Sequence, residues 1–118
     1  MHKGKRILII EDEAMISMVL EDILDLLGYQ VAGIASNLPE ARSRCQDGGF
    51  DAVILDVHLH GQDSYGLADQ LKAEGKRVIF ATGTSRENLP SRFQSGYIIE
   101  KPYVINMIES VLDEALAA

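Results

Sequence analysis

Glu11, Asp12, Asp56, Thr82 and Lys101 each stand at or just past the end of a short apolar run. The runs are RILII (6–10), DAVIL (51–55), RVIFA (77–81) and YII (97–99). If these are neighbouring strands, three carboxylates, a hydroxyl and an ammonium meet at one rim. Two like unit charges about 4 Å apart repel by roughly 4 kcal/mol at an effective dielectric near 20. Clustered carboxylates must therefore protonate, separate or bind a cation. Hard oxygen ligands around a partly open site favour Mg2+, which keeps some waters and takes phosphate readily. A carboxylate is also a competent phosphoryl acceptor, forming an aspartyl phosphate. The arriving group needs its charge met by a metal, a cation and hydrogen-bond donors. Lys101 and Thr82 are of those types. Taken singly, each residue has a plainer reading. Glu11, Asp12 and Glu13 could be first-turn acids of a helix, Asp56 and Thr82-Gly83 turn residues, and Lys101 a surface lysine. Their common position at strand ends favours the chemical reading.

The elements that would position them alternate along the chain. A first strand, 6–10, precedes a helix from Ala14 to Leu27, with Met15, Val19, Ile23 and Leu27 at helical spacing and Gly28 as its stop. QVAGIA (30–35) is a second strand. Asn37 offers an N-cap with Glu40 after it, and that helix runs to Gly48-Gly49. The third strand, 51–55, is followed by a helix from about Ser64 to Glu74, ended by Gly75. After the fourth strand, 77–81, Thr84 and Glu87 look like a capping box, but Pro90 leaves room for a short fourth helix alone. The fifth strand is brief, 97–99. A last helix follows, with Pro102 suited to its first turn and Val104, Ile105, Ile108, Val111, Leu112 and Ala115 as its apolar stripe. Five βα units with strands apolar throughout predict an α/β fold, a doubly wound parallel sheet with helices on both faces. An eight-unit barrel needs a longer chain. Ligands of open sheets sit beyond the carboxyl ends of the strands, where the polar residues gather.

The 118 residues suit one domain, and 47% hydrophobic with 25% charged residues argues against a disordered chain. A net charge of −7 argues against direct nucleic-acid binding. The apolar run Ile7–Ile10 is too short for a signal peptide and ends in Glu11-Asp12-Glu13. No apolar run approaches the roughly 20 residues of a membrane span. A single cysteine permits no internal disulfide and fits a cytoplasmic setting. Cys45 shares a helical face with Leu38 and Ala41 and reads as a packing residue.

With these residues placed, the chain resembles the receiver domain of two-component response regulators from end to end. The resemblance rests on Glu11-Asp12 after strand one, Asp56 after strand three, LHG (59–61), Thr82 after strand four and Lys101-Pro102 after strand five. It implies the flavodoxin-like receiver fold with strand order 2-1-3-4-5. It also implies that Asp56 accepts a phosphoryl group from a sensor histidine kinase or a histidine phosphotransfer protein. Asp12, Asp56 and the backbone carbonyl of His58 would hold Mg2+, with Glu11 acting through water. Thr82 would bond the phosphoryl oxygens, Lys101 would pair with them, and the peptide before Pro102 would be cis. The receiver would be a self-phosphorylating acceptor with slow autodephosphorylation, not a turnover enzyme.

Three departures stand out. His60 takes the place where proline is usual. Ile98 occupies the position of the usual aromatic switch residue, while Tyr97 points to the other face of the strand. The stretch from Thr82 to Lys101 is short, and FATG (80–83) with LPSRF (89–93) partly resembles an atypical alphaproteobacterial subgroup, the FATGUY receivers; that signature continues with a tyrosine, where this chain has Thr84-Ser85. The fourth helix should be short or distorted. The chain ends with its last helix, so residues 1–118 are expected to be a single stand-alone receiver without an effector domain, signalling by protein contact or acting as a phosphate shuttle or sink. The downstream partner would bind the face of the fourth helix, fifth strand and fifth helix, and a homodimer is compatible with it. Two other classes remain open at this stage. A small metal-dependent phosphatase would also use an aspartate nucleophile, though His58 stands where such enzymes place a second aspartate. A binding module would need no phosphorylation, but no glycine-rich phosphate loop is present. His58 and His60, with Asp56 or Asp63, also raise a transition-metal site.

Overall fold

The computed structural model describes residues 4–117. Five strands form one parallel sheet: β1 (Arg6–Ile10), β2 (Gln30–Ala35), β3 (Ala52–Asp56), β4 (Val78–Thr82) and β5 (Tyr97–Glu100). Their order across the sheet is β2-β1-β3-β4-β5, as the receiver resemblance implied. The register pairs Ile10 with Leu55, Asp56 with Ala81 and Thr82 with Glu100. Three strands that end level therefore release Glu11, Asp56 and Lys101 at the same edge.

The strands look apolar throughout because both faces are covered. Leu8, Ile10, Val53, Leu55, Phe80 and Ile98 pack against Ala41 and Cys45 of α2 (Leu38–Asp47) and Leu67, Ala68 and Leu71 of α3 (Tyr65–Ala73). Ile7, Ile9, Ile54, Ile79 and Ile99 face Leu20 and Leu24 of α1 (Ala14–Leu26) and Ile108, Leu112 and Ala115 of α4 (Ile105–Ala117). Successive strand residues point to opposite faces, so in β3 and β4 every position is an inside position. Cys45 is a packing residue on the helical face with Ala41, as expected.

Local signals account for the helix ends. The Asn37 side chain accepts the Glu40 N–H at 2.8 Å, and Glu40 answers by accepting the Ser36 N–H, one residue before the expected partner. Gly28 lies at φ +91, and the bonds Tyr29 N–H to Leu24 O and Gly28 N–H to Asp25 O make a Schellman motif.

Three expectations need correction, and a fourth is made specific. The buried face of α1 is Ser17, Leu20 and Leu24; Met15 is 81% and Val19 51% exposed, so the stripe through Met15 and Val19 faces outwards. α1 carries apolar side chains nearly all round, and periodicity alone could not pick the inward stripe. Next, α4 begins at Ile105, leaving Pro102, Tyr103 and Val104 in the loop and Val104 exposed, so Pro102 is not a first-turn residue. The Lys101–Pro102 peptide is cis. Third, the capping box at Thr84 does not form, because the Thr84 N–H turns back to Thr82 Oγ1 at 3.1 Å. Last, the fourth crossover contains no α-helix. It has two single 3-10 turns, Arg86–Asn88 and Ser91–Phe93, which is the distortion that Pro90 and the short segment foretold.

A small hairpin follows β3, unforeseen from the sequence. His58–Leu59 pairs antiparallel with Gln62–Asp63, and the turn residues His60 (φ +51) and Gly61 (φ +79) both lie at positive φ. A two-residue hairpin of the I′ type requires that of both turn positions. Proline, fixed near φ −65°, could not stand at residue 60 in this turn.

Candidate functional site

The rim is built from strand ends. Asp56 is the last residue of β3 and is buried. Glu11 follows β1 directly and is also buried; its N–H donates to Ala35 O, which ties it to the β2 end. Lys101 follows β5, anchored by its N–H to Thr82 O at 2.8 Å. From there its Nζ reaches Glu11 Oε1 at 2.7 Å and Asp56 Oδ2 at 3.0 Å. Asp12 completes the group. Among the described residues, carboxylate oxygens of Glu11, Asp12 and Asp56 lie within 4.8 Å of one another.

The electrostatics follow from this crowding. Burial, and then the neighbouring Asp56, push the Glu11 carboxyl up to about 7, against the pull of Lys101. Burial works to lower the Lys101 ammonium, but its bonds to Glu11 and Asp56 win and raise it, so it stays charged. For Asp12, burial opposes the charged form, yet the His60 N–H at 2.8 Å prevails and holds its carboxyl below the usual range. Tyr103, beside Lys101, is raised by burial and then by Glu11 and Asp56. Glu11 and Asp56 thus share one ammonium, while Asp12 relies on a backbone donor. That leaves carboxylate oxygen in excess of positive charge. The oxygen-only donors at a partly open rim suit a hard divalent cation.

The sequence-predicted residues divide into two groups. Glu11, Asp12, Asp56 and Lys101 come together as described. Thr82 is buried at the same edge, one register step beyond Ala81, and its Oγ1 lies 3.2 Å from Thr84 Oγ1. His58 opens the hairpin with its side chain exposed. Ile98 is buried on the α2–α3 face next to the strand carrying Thr82, and Tyr97 packs on the opposite face. Pro102, with Ile16, Val19, Lys101 and Tyr103, lines a shallow apolar cavity of about 230 Å³ beside the rim. Two features escaped the sequence reading. One is the His60 N–H bond to Asp12. The other is Ser64, buried behind the site, whose hydroxyl donates to the Asp56 carbonyl at 2.6 Å. No residue pattern announces a bond to a backbone carbonyl.

The sequence model of the response regulator receiver domain matches residues 7–112. The chain belongs to the response regulator receiver family. This receiver is 43% identical over 116 residues to chemotaxis protein CheY of Thermotoga maritima, covering 94% of this chain and 97% of that one. The solution structure of SdrG from Sphingomonas melonis Fr1 superposes with a TM-score of 0.85 at 38% identity, covering 98% of both chains. The BeF3-activated conformation of SdrG, from Pseudomonas melonis Fr1, also matches at 0.85. Other relatives are longer: this receiver spans 44% of the regulatory protein YbdJ of Bacillus subtilis (strain 168), at 34% identity. The domain is thus a CheY-like receiver. No helix among its described residues is long and apolar enough to cross a membrane.

Proposed function

We propose that Asp56 is the phosphoacceptor of a cytoplasmic receiver, with Mg2+ held by Asp12, Asp56 and the His58 carbonyl and with Glu11 acting through water. The observation that carries this reading is Lys101 Nζ lying 3.0 Å from Asp56 Oδ2 inside a carboxylate cluster. An Asp56 oxygen forms the new O–P bond as the donor's N–P bond breaks, and the departing imidazole takes up a proton. When bound, Mg2+ supplies positive charge against the phosphoryl oxygens. Lys101 is free to exchange its Asp56 contact for a phosphoryl oxygen, because the phosphorylated carboxylate has lost its own charge. The Thr82 hydroxyl, paired with Thr84 in this state, is near enough in register to turn inwards and donate. Hydrolysis returns Asp56 and inorganic phosphate slowly, so the domain is a switch and not a turnover enzyme.

The donor is a histidine-phosphorylated protein, a sensor kinase or phosphotransfer protein. The apolar cavity of Ile16, Val19, Pro102 and Tyr103 beside Lys101 supports docking at this rim, as do exposed Met15 and Met18 on α1. The output partner binds the face made by the two 3-10 turns, β5 and α4, and the receiver acts by that contact or as a phosphate shuttle.

The test is intact mass after incubation with Mg2+ and acetyl phosphate, for the wild type and Asp56→Asn. One phosphoryl group on the wild type alone, absent with EDTA, is the expected result. Equal labelling of Asp56→Asn would move the acceptor elsewhere. No adduct, together with no Asp56-dependent phosphate release, would end the reading.

A further inference from the structure

We propose that Ser64 is a positioning residue for the metal and phosphoryl site, fixing the chain that carries Asp56 and the His58 carbonyl. The β1–β3 register stops at Ile10 and Leu55, so Asp56 lies one residue beyond the last ladder pair on that side. On the β4 side the Val57 N–H of that peptide donates to Ala81 O at 3.0 Å; the carbonyl end, facing away from β4, needs a partner of its own. Ser64 holds it: the hydroxyl donates to the Asp56 carbonyl at 2.6 Å and shares a longer contact, 3.2 Å, with the Val57 carbonyl. The Ser64 N–H donates to the same Val57 carbonyl at 2.9 Å. On its other side, the Ser64 carbonyl accepts the Ala68 N–H in the first turn of α3. Ser64 itself is 1% exposed, so water does not compete for these bonds.

The geometry closes the loop between Val57 and Ser64 at its base and ties it to the rigid start of α3. The Asp56 peptide orientation sets where its carboxylate points, and the closed base sets where the His58 carbonyl faces. Partners one step removed from a metal ligand commonly change affinity or activity by about 10–100-fold when lost. The sequence gives no hint of this role, since a serine before a helix reads as an N-cap. In the structure the Ser64 side chain makes no cap bond and points back to the strand instead.

This inference rests on the proposed use of Asp56, and the test keeps the two apart by reading Mg2+ affinity separately from phosphorylation. The proteins are the full chain as wild type, Ser64→Ala and Ser64→Thr, with thermal melts run alongside. Ser64→Ala is expected to weaken Mg2+ binding, measured calorimetrically well below the melt, by about tenfold. It should slow labelling by acetyl phosphate at saturating Mg2+ as well, while Ser64→Thr, which keeps the hydroxyl, recovers most of both. Wild-type Mg2+ affinity in Ser64→Ala overturns the proposal whatever the melt shows, because a purely structural serine moves only the melt. A loss of affinity shared by a folded Ser64→Thr overturns it too; if Ser64→Thr does not fold, the Ser64→Ala affinity decides alone. A wild type that binds Mg2+ but never labels defeats the reading of Asp56, and leaves the affinity comparison to judge Ser64.

Discussion

The connections on the two sides of β4 differ in what shapes them. The loop after β3, residues 57–64, buries Val57 and Leu59 and is shaped by polar bonds: Ser64 to the Asp56 and Val57 carbonyls, and the His60 N–H to Asp12. The crossover after β4, residues 83–96, is held by an aromatic cluster. Phe93 is buried with its ring 4.9 Å from Phe80 and 5.6 Å from Tyr65, and the Arg92 guanidinium covers it at 4.5 Å. Outside that cluster, Arg92 grips Asp69 of α3 with two bonds of 3.0 and 3.1 Å, and Gln94 donates to the Leu89 carbonyl. Directional bonds hold groups that must meet a ligand at fixed distances. Apolar contact is non-directional, and it suits a segment that has only to stay folded against the sheet.

This contrast can be broken most sharply at Phe93. Phe93→Ala should cost about 3–5 kcal/mol in urea unfolding, the usual range for a buried aromatic. Mg2+ affinity at the rim should stay within about twofold, since the two sites share no bonds. A comparable loss of Mg2+ affinity would mean that the crossover also shapes the rim.

A smaller effect comes from Glu11. Its carboxyl is raised in the folded state, so the folded chain holds a proton that the unfolded chain has already lost between the ordinary value and about 7. The stabilising contribution is therefore complete below pH about 4.5 and is lost as pH rises through about 7, on the order of 3 kcal/mol across that window. In EDTA, unfolding free energy should fall with pH there, and Glu11→Gln should flatten the slope. A slope unchanged by Glu11→Gln would assign the proton to another member of the cluster.

Arg92 should give the smallest change. The Arg92–Asp69 pair is exposed on both sides. Arg92→Ala should shift the melt slightly at low salt, and the shift from pair loss should shrink in 1 M salt, where the screening length is about 3 Å. A salt-independent shift would locate the effect in the stacking of Arg92 on Phe93 instead.

The strand ends were the legible part of this chain. Asp56, Glu11, Asp12, Thr82 and Lys101 could be placed together because a parallel sheet with short apolar strands fixes where each strand must deliver its next residue. The Asn37 cap and the Gly28 stop were readable for a similar reason, as each acts within one helical turn. What failed depended on choices the local sequence leaves open. Around α1, Met15, Val19, Leu20, Ile23 and Leu24 offer several apolar stripes, and the neighbouring sheet decides which one faces in. The pairing of His58-Leu59 with Gln62-Asp63 is too short to show any period. Ser64 and the His60 N–H act on backbone and carboxylate atoms that come near them after folding alone.

The outward stripe of α1 has a practical consequence. Met15 and Met18 stand 81% and 60% exposed on α1, the helix proposed to meet the phosphoryl donor. Thioether sulfur takes up one oxygen from peroxide when it is accessible and is spared when covered. These two side chains therefore act as built-in recorders: a brief oxidant pulse writes the occupancy of that surface into the mass of the chain, with no label attached.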